Sequence, residues 1–292
     1  MSRIRRSISS RLEATLIFDQ VCVNLRALVA HIDAIERGFT AIPGGVVHHA
    51  TAGNGAPVLL LHQTPRSWAE YRDVLPILGR HRRAIAMDTL GFGDSTAPAE
   101  DAIEAYAAGA ISFLDALGIE RVSLVGHHTG GVIAVELAAT RPERVDRLVL
   151  SCTPMVDEEG RRHRHAVDDV PPSDDGSHLA ELWRGRMAFY PAGRPDLLNA
   201  FVLDALKAGP RAAIGHAAVR SYVMERRLPL IQAPTLLIGG TEDVAYPDLP
   251  RLAAALPGSR IVEIEGGMVP LPDQLPERFA AAVLEFLRAG GP

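Results

Sequence analysis

At 292 residues with 47% hydrophobic side chains, the chain can build one large core or a core carrying an insertion. The formal net charge of -5 is dispersed and leaves no basic stripe, so nucleic acid is not an expected partner. Cys22 and Cys152 offer no disulfide framework, and no apolar run reaches the ~18 residues of a membrane span, so a cytoplasmic setting with no membrane partner is expected.

The first 38 residues start basic, as a secretory signal would. Asp19, Asn24 and Arg26 break the apolar part and no small-residue cleavage site follows, so no signal is expected. Val21, Leu25, Leu28, Ile32 and Ile35 recur at spacings of four and three, which predicts a helical extension over 1–38. It reads as a helix packed on the body, with a homodimer arm as the alternative.

Phe39 to Ala50, followed by Thr51-Ala52-Gly53-Asn54-Gly55, reads as two short strands and a turn. Val58–Leu61 is a fully apolar strand that ends in His62-Gln63-Thr64-Pro65. A short helix is predicted from Trp68 to Leu78, then a strand from Arg82 to Met87 that ends at Asp88. A helix from Ala102 to Leu117 is closed by Gly118. The most informative stretch follows: Val122–Val125 is a buried strand, 132–137 a helix, and Gly126-His127-His128-Thr129-Gly130-Gly131 lies between them. Strand, tight glycine-flanked turn and helix is the layout of a nucleophile elbow, where the central residue is strained and its neighbours two away must be small. Val145–Cys152 is another strand, with Cys152 expected as a small core residue.

After Thr153-Pro154 the strand signal stops until Gln232. A charged loop over 157–178 and helices near 178–190, 195–208 and 211–226 are predicted. Trp183, Met187, Phe189 and Tyr190 cluster there, as the core of this segment or the roof of a pocket. His163, His165, Asp168 and Asp169 read as a solvated surface rather than a metal site. Pro234–Gly240 and Arg260–Gly266 resume the sheet, and 274–287 is a closing helix.

From about Phe39 to the C-terminus the chain resembles the α/β-hydrolase superfamily. The elbow carries the resemblance, with His62-Gln63-Thr64-Pro65, the Asp88–Ser95 turn and Gly240-Thr241-Glu242-Asp243. The resemblance implies an α/β-hydrolase fold: a mostly parallel sheet with helices on both faces, built from 39–154 and 233–292, plus a helical cap over 155–232. It also implies oxyanion amides at Thr64 and Thr129, with Gln63 at the pocket mouth in place of a glycine. Asp243 falls at the place of the triad carboxylate. Two positions depart from the pattern: His128 stands where the superfamily has its nucleophilic Ser, and Met268 where it has its His. His62 and Asp88 are expected to brace loops.

A thioether cannot take up a proton at neutral pH, so Met268 is no base. His tolerates positive φ better than most residues, so His128 can sit in the strained turn and pair with Asp243. Three readings stay open. One is an enzyme with a His128–Asp243 site acting on a small, mostly apolar ester, lactone or other carbonyl compound. The second is a cofactor-free lyase, isomerase or decarboxylase on the same scaffold. The third is an inactive ligand-binding relative. No nucleotide-binding glycine motif or Walker lysine is present, so no cofactor is expected, and no metal.

Overall fold

The computed structural model describes residues 35–163 and 170–288. Eight strands form one sheet in the order β1-β2-β4-β3-β5-β6-β7-β8. They are β1 Glu36–Ile42, β2 Gly45–Ala52, β3 Pro57–Leu61, β4 Arg83–Met87, β5 Val122–His127, β6 Val145–Ser151, β7 Thr235–Gly240 and β8 Arg260–Ile264. β1 pairs antiparallel with β2, and β2 with β4; every other pairing is parallel. The expected α/β-hydrolase architecture is therefore present.

The chain alternates along β3 in the way a two-faced sheet demands. Leu59 and Leu61 pack into one core with α2 (Ile103–Ala116), α3 (Thr129–Thr140) and α8 (Leu249–Ala255). Val58 and Leu60 pack into the other, with α1 (Val74–Gly79) and α10 (Pro276–Arg288). All four of these β3 side chains are fully buried, each contributing about 1.5–3 kcal/mol of hydrophobic stabilisation. α10 buries Phe279, Ala280, Val283, Leu284 and Leu287, a stripe at helical spacing, and leaves its other face to solvent.

Between β6 and β7 lies an insertion built from helices: α4 (Glu158–His163), α5 (Ser177–Arg186), α6 (Pro195–Ala208) and α7 (Arg211–Ser221). α4 falls inside the stretch expected to be a charged loop. Tyr190, Leu197, Leu198, Phe201, Val202 and Ala205 make a third core with Val269 from the segment after β8. Trp183 and Phe189 pack against it, whereas Met187 is 54% exposed and serves neither core nor roof. The insertion is anchored to the sheet layer through Glu136 on α3. This buried carboxylate accepts from the Tyr222 hydroxyl and from Arg227 Nε, both at 2.7 Å. A final short helix, α9 (Leu271–Gln274), precedes α10.

β1 begins at Glu36, where the sequence reading continued its helical extension to residue 38. Registry against β2, with Glu36 opposite Thr51 and Phe39 opposite His48, overrides the short helical periodicity that ends at Ile35. The proposed seam over 21–32 and its dimer arm lie outside the described residues. So do His165, Asp168 and Asp169. Among the described residues, no helix is long and apolar enough to cross a membrane.

Candidate active site

β5 brings the chain to the C-terminal edge of the sheet, and α3 leaves from it after a single residue. That residue is His128, at φ 48° and ψ -113°. Its amide donates to the Ser151 carbonyl at 3.0 Å, and its own carbonyl accepts from Gly131 and Val132, which starts the helix. So sharp a reversal forces strand and helix together. A Cβ on Gly126 would collide with the Gly130 carbonyl, and one on Gly130 with the Leu61 carbonyl. The glycines at those two places are thus required by close approach of backbones.

The His128 ring turns to β7. Its Nε2 lies 2.9 Å from Asp243 Oδ2. The Asp243 side chain is fully buried and that of His128 keeps 15% exposure. Oδ1 of Asp243 accepts the Ala245 amide at 2.7 Å, so both carboxylate oxygens are held. Burial alone would raise the Asp243 carboxyl. The charge and hydrogen bond of His128, with the Ala245 amide, outweigh it and hold the group below the usual carboxylate range. An ionised Asp243 fixes the neutral imidazole as the Nε2–H tautomer and leaves the Nδ1 lone pair as its basic site.

Thr64 and Thr129 meet across the turn, with the Thr64 amide 3.4 Å from Thr129 Oγ1. Both are buried. Thr129 opens α3, so its amide has no intrahelical acceptor and sits at the positive end of the helix. Gln63 differs from its expected place. It is 3% exposed, its Nε2 donates to Glu70 Oε1 at 2.5 Å and to the Val269 carbonyl at 3.3 Å, and its amide donates to Glu70 Oε2. It is a brace inside the wall, not a side chain at a pocket mouth, because the buried Glu70 carboxylate needs its donors. Met268 donates its amide to Gln274 Oε1 at 2.8 Å. From this segment it is the Val269 carbonyl that reaches the elbow.

His62 joins two loops: Nδ1 donates to the Gln63 carbonyl at 2.8 Å, and Nε2 accepts the Thr89 amide at 2.9 Å. Asp88 accepts from the Trp68 and Asp94 amides and from His48 Nδ1. Burial pushes its carboxyl up, but the His48 hydrogen bond and these amides hold it low.

Three residues that the sequence reading passed over support the elbow. His127 is fully buried, with Nε2 donating to the Val269 carbonyl at 2.8 Å and Nδ1 facing Ser151 Oγ at 3.1 Å. Burial lowers its pKa, and the ring stands edge-on to His128, 4.7 Å between centroids. Glu70 stays ionised against its burial through His127, Arg66 and Gln63. Arg66 is fully buried among Asp204, Asp273 and Glu70 at 2.8, 2.7 and 3.8 Å. The one sequence signal was the Arg66–Glu70 spacing of four, which is usually a surface pair.

A family model described as alpha/beta hydrolase fold matches residues 56–268. This chain belongs to the α/β-hydrolase family. Haloalkane dehalogenase 2 of Mycobacterium tuberculosis (strain ATCC 25618 / H37Rv) is 30% identical over 269 residues, covering 82% of this chain and 91% of the relative. The 2-hydroxy-6-oxo-2,4-heptadienoate hydrolase of Pseudomonas putida is 41% identical over 123 residues, 39% of this chain and 44% of that protein. Among solved structures, the enol-lactonase from Burkholderia xenovorans LB400 superposes with a TM-score of 0.72 at 23% identity, covering 86% of this chain and 100% of that one. Its likeness concerns the fold.

One further group lies within this α/β-hydrolase site. Cys152 Sγ, His128 and Asp243 bring sulfur, nitrogen and oxygen within 4.8 Å of one another. Burial, with the Asp243 charge, pushes the Cys152 thiol well up, and its sulfur accepts the Gly240 amide at 3.3 Å. A protonated, buried thiol packs as a small apolar group and is neither a nucleophile nor a ready metal ligand.

Proposed function

We propose that this α/β-hydrolase hydrolyses a small, mostly apolar ester, lactone or related carbonyl compound, with a His128–Asp243 dyad in place of a serine triad. In this reading His128 occupies the nucleophile position and Met268 the position of the usual histidine. The helical insertion serves as the cap over the substrate. The observation that carries it is the 2.9 Å contact from His128 Nε2 to a fully buried, ionised Asp243, made by a ring that retains exposure.

The chemistry follows from the tautomer. Asp243 holds Nε2–H, so Nδ1 takes a proton from water as the water oxygen bonds to the substrate carbonyl carbon. The carbonyl π electrons move to oxygen, and the Thr129 and Thr64 amides donate to the resulting oxyanion. Asp243 stabilises the imidazolium without taking its proton. When the oxyanion re-forms the carbonyl, the carbon–oxygen bond to the leaving group breaks. The proton on Nδ1 passes to that departing oxygen, giving acid plus alcohol and restoring neutral His128.

The test is turnover of a panel of short-chain 4-nitrophenyl esters and aliphatic lactones. His128→Ala and Asp243→Asn should each remove most of the rate, about 10²–10⁴-fold for a lost general base or its orienting partner. His128→Ala with unchanged kcat/KM would refute the dyad. Saturable binding of these compounds with no conversion would instead identify a ligand-binding relative.

A further inference from the structure

Among the described residues, two buried hydrogen-bond donors beside the elbow lack an acceptor. Arg66 is fully buried, and its Nε and Nη1 are held by Asp204 and Asp273, but Nη2 has no partner. Tyr190 is 3% exposed and its hydroxyl is likewise unpartnered. A protein rarely buries such groups without compensation. A third donor group, Arg186, lies nearby, sharing the Phe201 ring with Tyr190.

Arg186 ends α5. Its guanidinium lies 4.3 Å over the Phe201 ring and 5.9 Å from that of Phe189. No hydrogen bond or ion pair to it is present among the described residues. Burial lowers its pKa; Tyr190 opposes the drop and the neighbouring Arg66 adds to it. Phe201 also packs on Tyr190, with centroids 5.9 Å apart, and Asp204, one turn along α6, holds Arg66. One face of α6 therefore gathers two guanidinium groups and a phenol. Asp204, Asp273 and Glu70 neutralise Arg66 there, yet Arg66 Nη2 and the Tyr190 hydroxyl are left without an acceptor among the described residues.

The site adjoins the dyad. Arg66 follows Thr64 by two residues, and Glu70, Gln63 and the Val269 carbonyl link it to His127 behind the His128 ring. Tyr190 shares a core with Val269.

We propose that Arg186, Tyr190 and the free Nη2 of Arg66 bind a carboxylate of the substrate, so that the compound acted on is a carbonyl compound bearing an acid group at one end. A flat carboxylate matches the guanidinium fork and brings the acceptor these donors lack, while Phe201 fixes the plane of Arg186. The proposal names the substrate class for the site described above and rests on that reading for the reaction, not for the binding.

Binding is therefore measured apart from turnover, by calorimetric titration of the full-length protein with benzoate and with benzamide, its uncharged isostere. Benzoate is expected to bind at least about tenfold more tightly than benzamide. Arg186→Gln, which removes no ion pair within the fold, should weaken benzoate at least about tenfold and leave benzamide unchanged; Tyr190→Phe should weaken benzoate by a smaller factor. His128→Ala should keep the benzoate affinity of the wild type. Absent benzoate binding, equal binding of benzoate and benzamide, or an unchanged benzoate affinity in Arg186→Gln overturns the assignment. Loss of benzoate binding in His128→Ala overturns it too, by placing the carboxylate on the imidazole. Intact discrimination by a protein in which His128→Ala does not alter turnover would keep the carboxylate site and discard only the dyad.

Discussion

Replacing His128 by glycine should give a more stable protein than replacing it by alanine, the reverse of the usual order. Both variants remove the ring and leave Asp243 Oδ2 without its partner, so that loss cancels in the comparison. The backbone remains. At φ 48° and ψ -113° a Cβ is strained, by about 1–3 kcal/mol at such positions. Glycine relieves this, and its greater freedom in the unfolded chain takes back about 0.4–1 kcal/mol. The net advantage of glycine is then up to about 2.5 kcal/mol, centred on about 1.3 kcal/mol and worth about 2–4 °C per kcal/mol in a chain of this size. Urea unfolding followed by circular dichroism, with equal slopes for the two variants, measures it. If alanine is as stable as glycine, the elbow stores no strain, and the case for a residue kept there against its conformational preference collapses.

Other consequences are as direct. Gly130→Ala should cost more than about 3 kcal/mol, because its methyl would meet the Leu61 carbonyl with backbone on both sides; a wild-type urea midpoint would contradict the packing. A serine-directed fluorophosphonate should leave residues 126–131 unmodified in peptide mass maps, since this turn carries no serine. Asp273 is pushed up to about 7 by burial, only partly opposed by Arg66. An acid raised in the folded state binds its proton more tightly there than in the unfolded chain, so its ionisation costs stability as pH climbs from about 4 to about 7. Asp273→Asn has no such cost. Its stability relative to the wild type should improve by about 2–3 kcal/mol between pH 5 and pH 8, and a pH-independent difference would refute the shift.

What the sequence determined by itself is what short-range physics encodes. Val58–Leu61 and Leu236–Ile238 are apolar on every residue because a parallel strand is covered on both faces, and that is visible without coordinates. Gly126 and Gly130 mark a close approach whose cause, a strand and helix diverging from one residue, is local. These patterns carried the fold and the place of the turn. Tertiary structure decided who partners whom. His128 and Asp243 are 115 residues apart, and only the ordering of β5, β6 and β7 in the sheet sets their atoms 2.9 Å apart. Gln63 was legible as a polar residue in a key loop, but whether it faced substrate or wall depended on the buried Glu70. Tyr190 was legible only as one of an aromatic cluster and Arg66 only as a spacing of four from Glu70, because an unsatisfied donor is defined by what surrounds it and not by the residues beside it in the chain.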